Sequence, residues 1–239
     1  MVMQCLSSNK NYIIVVAGGL GLRLKSDIPK QFLPICGKPI LMRTLERIRQ
    51  FSNDINIILV LPKQHQNYWQ LLCREYGFDI KHKIVDGGKE RFYSVKNALD
   101  TIDINEDAIV GVHDGVRPLV SLRVLGECYE TARIKGSAIP AVNPVESIRF
   151  GKEDIKNDVK TISYNRDLVW LVQTPQCFEL KRLKQAYNQP FNKRFTDDAS
   201  VVESIGYRVD LVEGNRENIK ITNSIDIAYA ELLLNDFKD

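Results

Sequence analysis

The chain has 239 residues, 44% hydrophobic and 26% charged, with a formal net charge of +3, a composition that suits a soluble globular protein with a sizeable core. The small charge gives no basis for nucleic-acid binding, and no apolar run reaches membrane-spanning length. The five cysteines, Cys5, Cys36, Cys73, Cys128 and Cys177, lie far apart with no CxxC pair, which argues against a zinc site or disulfide framework and fits a reducing cytoplasm.

The first ten residues are too short and too polar in their middle for a signal peptide and read as a frayed terminus. Residues 12–17 form a buried apolar strand. It feeds a loop with Gly18, Gly19 and Gly21 and two cations, Arg23 and Lys30. Glycines let backbone N–H groups approach a ligand, and the cations add charge where a polyphosphate would lie. A dinucleotide fingerprint fails because its third glycine position is Leu24, and a P-loop fails because Gly37-Lys38 precedes Pro39. An ordinary strand-to-helix turn with solvated cations is the alternative.

A helix over 40–51 follows, with Leu41, Leu45 and Ile48 at helical spacing. A strand over 55–61, a helix over 66–76 and a strand over 80–85 lead to Asp86-Gly87-Gly88-Lys89-Glu90-Arg91, a second glycine turn. Ser94 then opens a helix over 94–102, so this turn suits an anion or backbone readout of a base, or is a common βα loop. A strand over 108–112 ends at His113-Asp114. A carboxylate there, facing a phosphate loop, is placed to hold Mg²⁺; alone it would be a turn-forming Asp. His113 orients Asp114 or merely caps the strand. His65 and His82 lack ligand-like spacing and are structural or surface residues.

A helix over 122–135 and a strand over 137–142 continue the alternation. Residues 143–176 break it: 147–150 and 159–162 form a hairpin around Lys156-Asn157-Asp158, followed by apolar Trp170-Leu171-Val172. Such an arm is marginal alone and packs on a second subunit or folds back on its own domain. A helix over 180–187 precedes Thr196-Asp197-Asp198-Ala199-Ser200, a helix start with Thr196 as cap. A strand over 207–212 and the loop to Asn218-Ile219-Lys220 lead into a closing helix over 224–234. The βαβα order predicts one α/β domain, 1–239, a sandwich with a mostly parallel sheet and ligands at the strands' carboxyl ends. Lys220 alone is a solvated lysine. With Arg23, Lys30 and Asp114 it completes an apparatus for phosphoryl-type transfer.

These motifs together resemble the 2-C-methyl-D-erythritol 4-phosphate cytidylyltransferase family. The likeness runs from about Ile13 onward and rests on Ala17-Gly18-Gly19-Leu20-Gly21-Leu22-Arg23 with Pro29-Lys30-Gln31, Asp86-Gly87-Gly88 with Arg91 and Ser94-Val95, His113 to Pro118, Gln173 to Gln176, Thr196 to Ser200, and Glu213-Gly214 with Asn218-Ile219-Lys220. The resemblance implies a Rossmann-like three-layer sandwich with a projecting β-arm, and CMP transfer from CTP to methylerythritol phosphate with release of pyrophosphate, in non-mevalonate isoprenoid synthesis. It implies Arg23, Lys30 and Lys220 as catalytic residues and Asp114 as the Mg²⁺ ligand. Ala17, Gly18, Gly19, Gly21, Gly88 and Ser94 would bind the nucleotide. Arg117, Thr196 and Lys220 would bind the acceptor, with Ser147, Arg166 and Thr174 from the partner's arm in a homodimer joined through 143–176. Gly18, Gly115-Val116 and Glu146-Ser147 stand where Ala, Ala-Ala and Asp-Thr are commoner. The Ala-Gly-Gly start is shared with CDP-ribitol-forming relatives, the second reading; a non-catalytic nucleotide-binding protein is the third.

Overall fold

Alternation of apolar residues along the strands sends successive side chains to opposite faces of one sheet. In the computed structural model, which describes residues 10–19, 28–151 and 161–236, Ile13 and Val15 enter one core while Ile14 enters the other. Ile57, Leu59 and Leu61 likewise oppose Ile58 and Val60.

In chain order the elements are β1 (Lys10–Val16), β2 (Pro34–Ile35), β3 (Lys38–Pro39), α1 (Ile40–Phe51), β4 (Asn56–Leu61), α2 (Lys63–Glu75), β5 (Lys83–Asp86), α3 (Arg91–Leu99), β6 (Ala108–Asp114), α4 (Leu122–Lys135) and β7 (Ser137–Val142). Then come β8 (Ile148–Phe150), β9 (Ile162–Tyr164), β10 (Leu171–Val172), β11 (Gln176–Glu179), α5 (Leu180–Tyr187), α6 (Asp198–Glu203), β12 (Leu211–Glu213) and α7 (Ser224–Asp236). The main sheet runs β10-β7-β11-β6-β1-β4-β5, with β12 on the other side of β7. β1, β4, β5 and β6 are mutually parallel, as the βαβ connections require. Residues of α1, α2 and α4 cover one face, and residues of α3, α5 and α6 cover the other. α7 packs under the loops with Ile35, Val116 and Ile221. No helix among the described residues is long and apolar enough to cross a membrane.

Helices α1, α4 and α5 and strand β7 have the expected bounds. The sequence pattern misses β11, which lies antiparallel between β6 and β7. Its four residues follow Pro175 and resemble a continuation of the arm, yet Cys177 and Phe178 enter opposite cores. The arm therefore rejoins the sheet earlier than expected: Leu171 and Val172 already pair with β7. The hairpin forms between β8 and β9 with Ile148 opposite Tyr164, its second strand starting only at the last residue of the expected 159–162. Its Lys156-Asn157-Asp158 turn lies outside the described residues. The late strand is confined to Leu211–Glu213, and β5 starts only at Lys83.

Candidate active site

A cleft of about 250 Å³ opens at the carboxyl ends of the parallel strands, lined by both glycine turns, Lys30, Gln31, Arg91, Ser94, Asp114 and Lys220. Ala17 is pinned on two sides: its N–H donates to Val60 O (3.0 Å), and its carbonyl accepts from the buried Gln31 amide (2.9 Å). At Gly18 an added Cβ would meet Pro62 at an ordinary 3.9 Å, so alanine fits there and the commoner residue carries no steric distinction. The Lys30 stem lies against Gly19, with Cε 3.3 Å from a Cβ placed there. Arg23 and Gly21 fall outside the described residues.

Gly88 admits no side chain, because a Cβ would lie 2.3 Å from that of Tyr93. Its N–H donates to Ser94 Oγ (3.0 Å), whose hydroxyl donates to Glu90 O (3.2 Å). Helix α3 starts at Arg91 rather than Ser94, so Ser94 lies a turn inside and ties the loop to the helix.

Asp114 ends β6 and is buried. Its Oδ2 lies 3.2 Å from Arg117 Nε and 3.0 Å from Lys220 Nζ. Burial alone raises its pKa, but Lys220, Arg91 and Arg117 outweigh that and hold the carboxyl well below the usual carboxylate range. His113, fully buried, faces the Arg117 carbonyl through Nε2 (3.1 Å). A carbonyl only accepts, so Nε2 carries the proton and Nδ1 is the acceptor. Thr174 Oγ1 therefore donates to His113 Nδ1 (2.9 Å) and accepts from the Asp114 N–H (3.1 Å). Arg117 Nη1 donates to Asn218 O (2.6 Å), and Asn218 Nδ2 donates to Thr174 O (2.9 Å). The circuit closes on Asp114 and fixes the segment that carries Lys220.

Thr174 thus lies beneath Asp114 in its own subunit, not on the arm: its hydroxyl satisfies a buried N–H and a buried imidazole. His113 orients the site's backbone from below instead of merely capping the strand.

Burial lowers the His113 pKa to about 4, against the opposing pull of Asp114. The unfolded imidazole takes a proton below about 6.5 while the folded one resists until about 4, so stability falls as pH drops through that window. The loss from this group is about 3 kcal/mol. Denaturant midpoints at pH 7 and pH 4.5 measure it, and a midpoint unchanged between them contradicts a neutral buried His113.

The start of α6 departs from expectation. Asp197, not Thr196, is the cap: its Oδ1 accepts from Ser200 N (2.9 Å), and Ser200 Oγ accepts from Asp197 N in return. Thr196 precedes the cap, exposed, with its N–H donating to Ser200 Oγ. Asp198 is fully buried and takes both terminal nitrogens of Arg91 at 2.9 and 2.6 Å. Ser147 and Arg166 are exposed on the arm and do not line the cleft; Arg166 donates to Val145 O. Sequence reasoning gave no role to Gln31, Arg91, Asn218 or Gln176. Each stood inside a quoted motif, and an uncommon buried polar type in an apolar setting was the available signal.

The family model described as IspD, 2-C-methyl-D-erythritol 4-phosphate cytidylyltransferase, matches residues 12–236. A 2-C-methyl-D-erythritol 4-phosphate cytidylyltransferase of Bacteroides fragilis is 52% identical over 92% of this chain and 98% of its own length. The crystal structure of the enzyme of that name from Francisella tularensis is 33% identical, with a TM-score of 0.77 over 94% of this chain and 99% of its own. The 4-diphosphocytidyl-2C-methyl-D-erythritol synthase of Anaerococcus prevotii gives a TM-score of 0.79 at 26% identity, covering 95% and 96% of the two chains. With its glycine loops, Asp114 and Lys220 joined in one cleft, the chain belongs to the 2-C-methyl-D-erythritol 4-phosphate cytidylyltransferase family.

Proposed function

We propose that the cleft performs the family's reaction, transfer of CMP from CTP to 2-C-methyl-D-erythritol 4-phosphate with release of pyrophosphate, by alignment and charge compensation without a general base. The acceptor phosphate monoester is largely ionised near pH 7, its second pKa being about 6. One of its oxygens attacks the α-phosphorus of CTP as the bond to the pyrophosphate oxygen breaks, and no proton need reach the protein. What remains is repulsion between two anions, which fixed cations offset. The carrying observation is the buried Asp114 carboxylate, held ionised beside Lys220 and Arg117 in a cleft bounded by two glycine turns.

In this reading Lys30 and Arg23 bind the triphosphate, and the backbone of Ala17, Gly18, Gly19, Gly21 and Gly88 with Ser94 receives the cytidine. Lys220, Arg117 and Thr196 face the acceptor phosphate. Asp114, a buried carboxylate at the wall of the cleft, fits a divalent cation such as Mg²⁺, which takes one or two carboxylates plus phosphate oxygens. When bound, the ion supplies positive charge to the phosphate oxygens. The described cysteines, Cys36, Cys73, Cys128 and Cys177, are all free thiols, in keeping with a cytoplasmic location.

The arm carries exposed Val145, Phe150, Ile162, Leu168 and Trp170, an apolar surface that a second copy would cover. Arg166 and Ser147 would then complete the partner's cleft. Arg166→Ala is expected to raise the acceptor KM more than tenfold and leave CTP affinity unchanged. Subunits carrying Arg166→Ala, mixed with subunits carrying Lys30→Ala, test the sharing. If sites are shared, each mixed dimer regains one intact site, and a fully exchanged equal mixture, assayed with acceptor well below its KM, recovers about a quarter of native activity. No recovery contradicts shared sites.

A further inference from the structure

Two helix starts meet beside the cleft, and only the first of them lines it. One begins α3 with Arg91, three residues beyond Gly88 and three before Ser94; the other begins α6 with Asp198, two residues after Thr196. Between them lies a buried polar cluster that the reaction does not use directly. Arg91 grips Asp198 with two parallel bonds of 2.9 and 2.6 Å, a fork-to-fork geometry that fixes distance and direction. Tyr187, buried at the end of α5, donates its hydroxyl to Asp198 Oδ1 at 2.6 Å.

Around this pair, Phe92 stacks on Tyr187 with ring centres 4.7 Å apart and on Phe195 at 5.7 Å. Phe195 immediately precedes Thr196, so the same contacts seat the Thr196 segment. From the far side Gln176 completes the seat, donating to Asp197 Oδ2 and accepting from Ala199 N, both at 2.8 Å. Arg91 also lines the cleft and lies near enough to Asp114 to help hold it ionised.

A buried ion pair is weak evidence for stability, since desolvation offsets much of the attraction. Its bidentate form and its position between the nucleotide loop and the segment that carries Thr196 suit a positional role. We propose that Arg91, with Asp198 and Tyr187, is a positioning clamp that sets the acceptor-binding segment at Thr196 against the nucleotide loop at Gly88–Ser94. This rests on the acceptor role assigned to Thr196 above.

Arg91→Lys keeps the charge but loses the fork, and Tyr187→Phe removes one bond to Asp198 with the ring stack intact. The measurements are KM for 2-C-methyl-D-erythritol 4-phosphate, CTP Kd by calorimetry, and Tm. Arg91→Lys is expected to raise the acceptor KM roughly tenfold with CTP Kd within about twofold of native, and Tyr187→Phe to raise it roughly threefold. In a Thr196→Ala background the Arg91→Lys effect is expected to shrink below about twofold, since residues acting as a unit are not additive. Where Thr196→Ala itself raises the acceptor KM, full multiplication of the two effects overturns the clamp; equal losses for both substrates that follow the fall in Tm overturn it in every case. If Thr196→Ala leaves the acceptor KM unmoved, the Thr196 reading fails; a selective acceptor effect of Arg91→Lys and Tyr187→Phe then still supports a clamp acting through the rest of the segment. Should Arg91→Lys fail to fold, the threefold acceptor-selective effect of Tyr187→Phe decides, and its absence overturns the proposal.

Discussion

Lys30→Ala is expected to lower kcat by about 10²–10³-fold while weakening CTP binding only a few-fold. The lysine follows Pro29 at the start of a short 3-10 turn, Lys30–Phe32, and its stem lies against Gly19. That contact directs the ammonium into the cleft beside the glycine loop. Negative charge increases around the α-phosphorus as the acceptor oxygen approaches, so a cation fixed there contributes more in the transition state than in the bound substrate. Steady-state kinetics with CTP titration separates the two effects. A kcat within twofold of native removes Lys30 from the chemistry. A large loss of CTP affinity at constant kcat makes it a uniform binding residue.

Asp114→Asn is the second substitution with a large expected effect: a kcat loss of about 10³-fold, because it removes the carboxylate proposed to hold the cation and releases Lys220 from its place. Stability also falls. Arg117 and Lys220 would keep their charges with no carboxylate between them, which costs 3–5 kcal/mol for a fully buried pair. Lys220 is 44% exposed, so water screens it and the expected cost is about 2 kcal/mol. The folded carboxyl ionises well below its ordinary range, so its contribution is present above the unfolded pKa of about 3.8 and is lost as pH falls below it. The stability gap between native and Asp114→Asn proteins is therefore expected to be full at pH 7 and to narrow below about pH 3.8. Denaturant unfolding across that range measures it, and a gap independent of pH contradicts the electrostatic origin.

Elements built on periodicity were readable. The apolar spacing of Leu41, Leu45 and Ile48 marks α1, whose bounds match, and the β1 run gives a strand at the sheet's centre. Strand β11 was not, because four residues are too few to show a period and long-range pairing with β6 and β7 fixes them. Thr196 and Asp197 are both good caps by type; the choice between them depends on Gln176, 21 residues before Asp197, which binds Asp197 and α6 together. In the site, the residue types of phosphate chemistry were visible as Lys30, Asp114 and Lys220. The supports were not, since the pairing of Arg91 with Asp198 spans 107 residues and that of Asp114 with Thr174 spans 60. Thr174 shows the consequence: its motif suggested a substrate contact from the arm, whereas packing gives its hydroxyl to a buried amide and imidazole.

Gly18 and Gly115 stand where a larger residue is commoner in the family, and the structure treats them differently. Gly18 has room for a methyl group, while a Cβ at Gly115 would lie 2.9 Å from that of Ala17. Only at Gly115 does the local packing depend on the small residue, so the Ala-Gly-Gly start is weak ground for assigning the acceptor.

Acceptor choice is the most direct test of the whole account. Pyrophosphate release is measured with the full chain, CTP and Mg²⁺, in the presence of either 2-C-methyl-D-erythritol 4-phosphate or ribitol 5-phosphate. Turnover is expected with the methylerythritol phosphate and a kcat/KM for ribitol 5-phosphate at least 10²-fold lower, because the longer ribitol chain carries its hydroxyls away from partners placed for the shorter acceptor. Turnover with ribitol 5-phosphate alone, or CTP binding without turnover of either acceptor, would contradict the account.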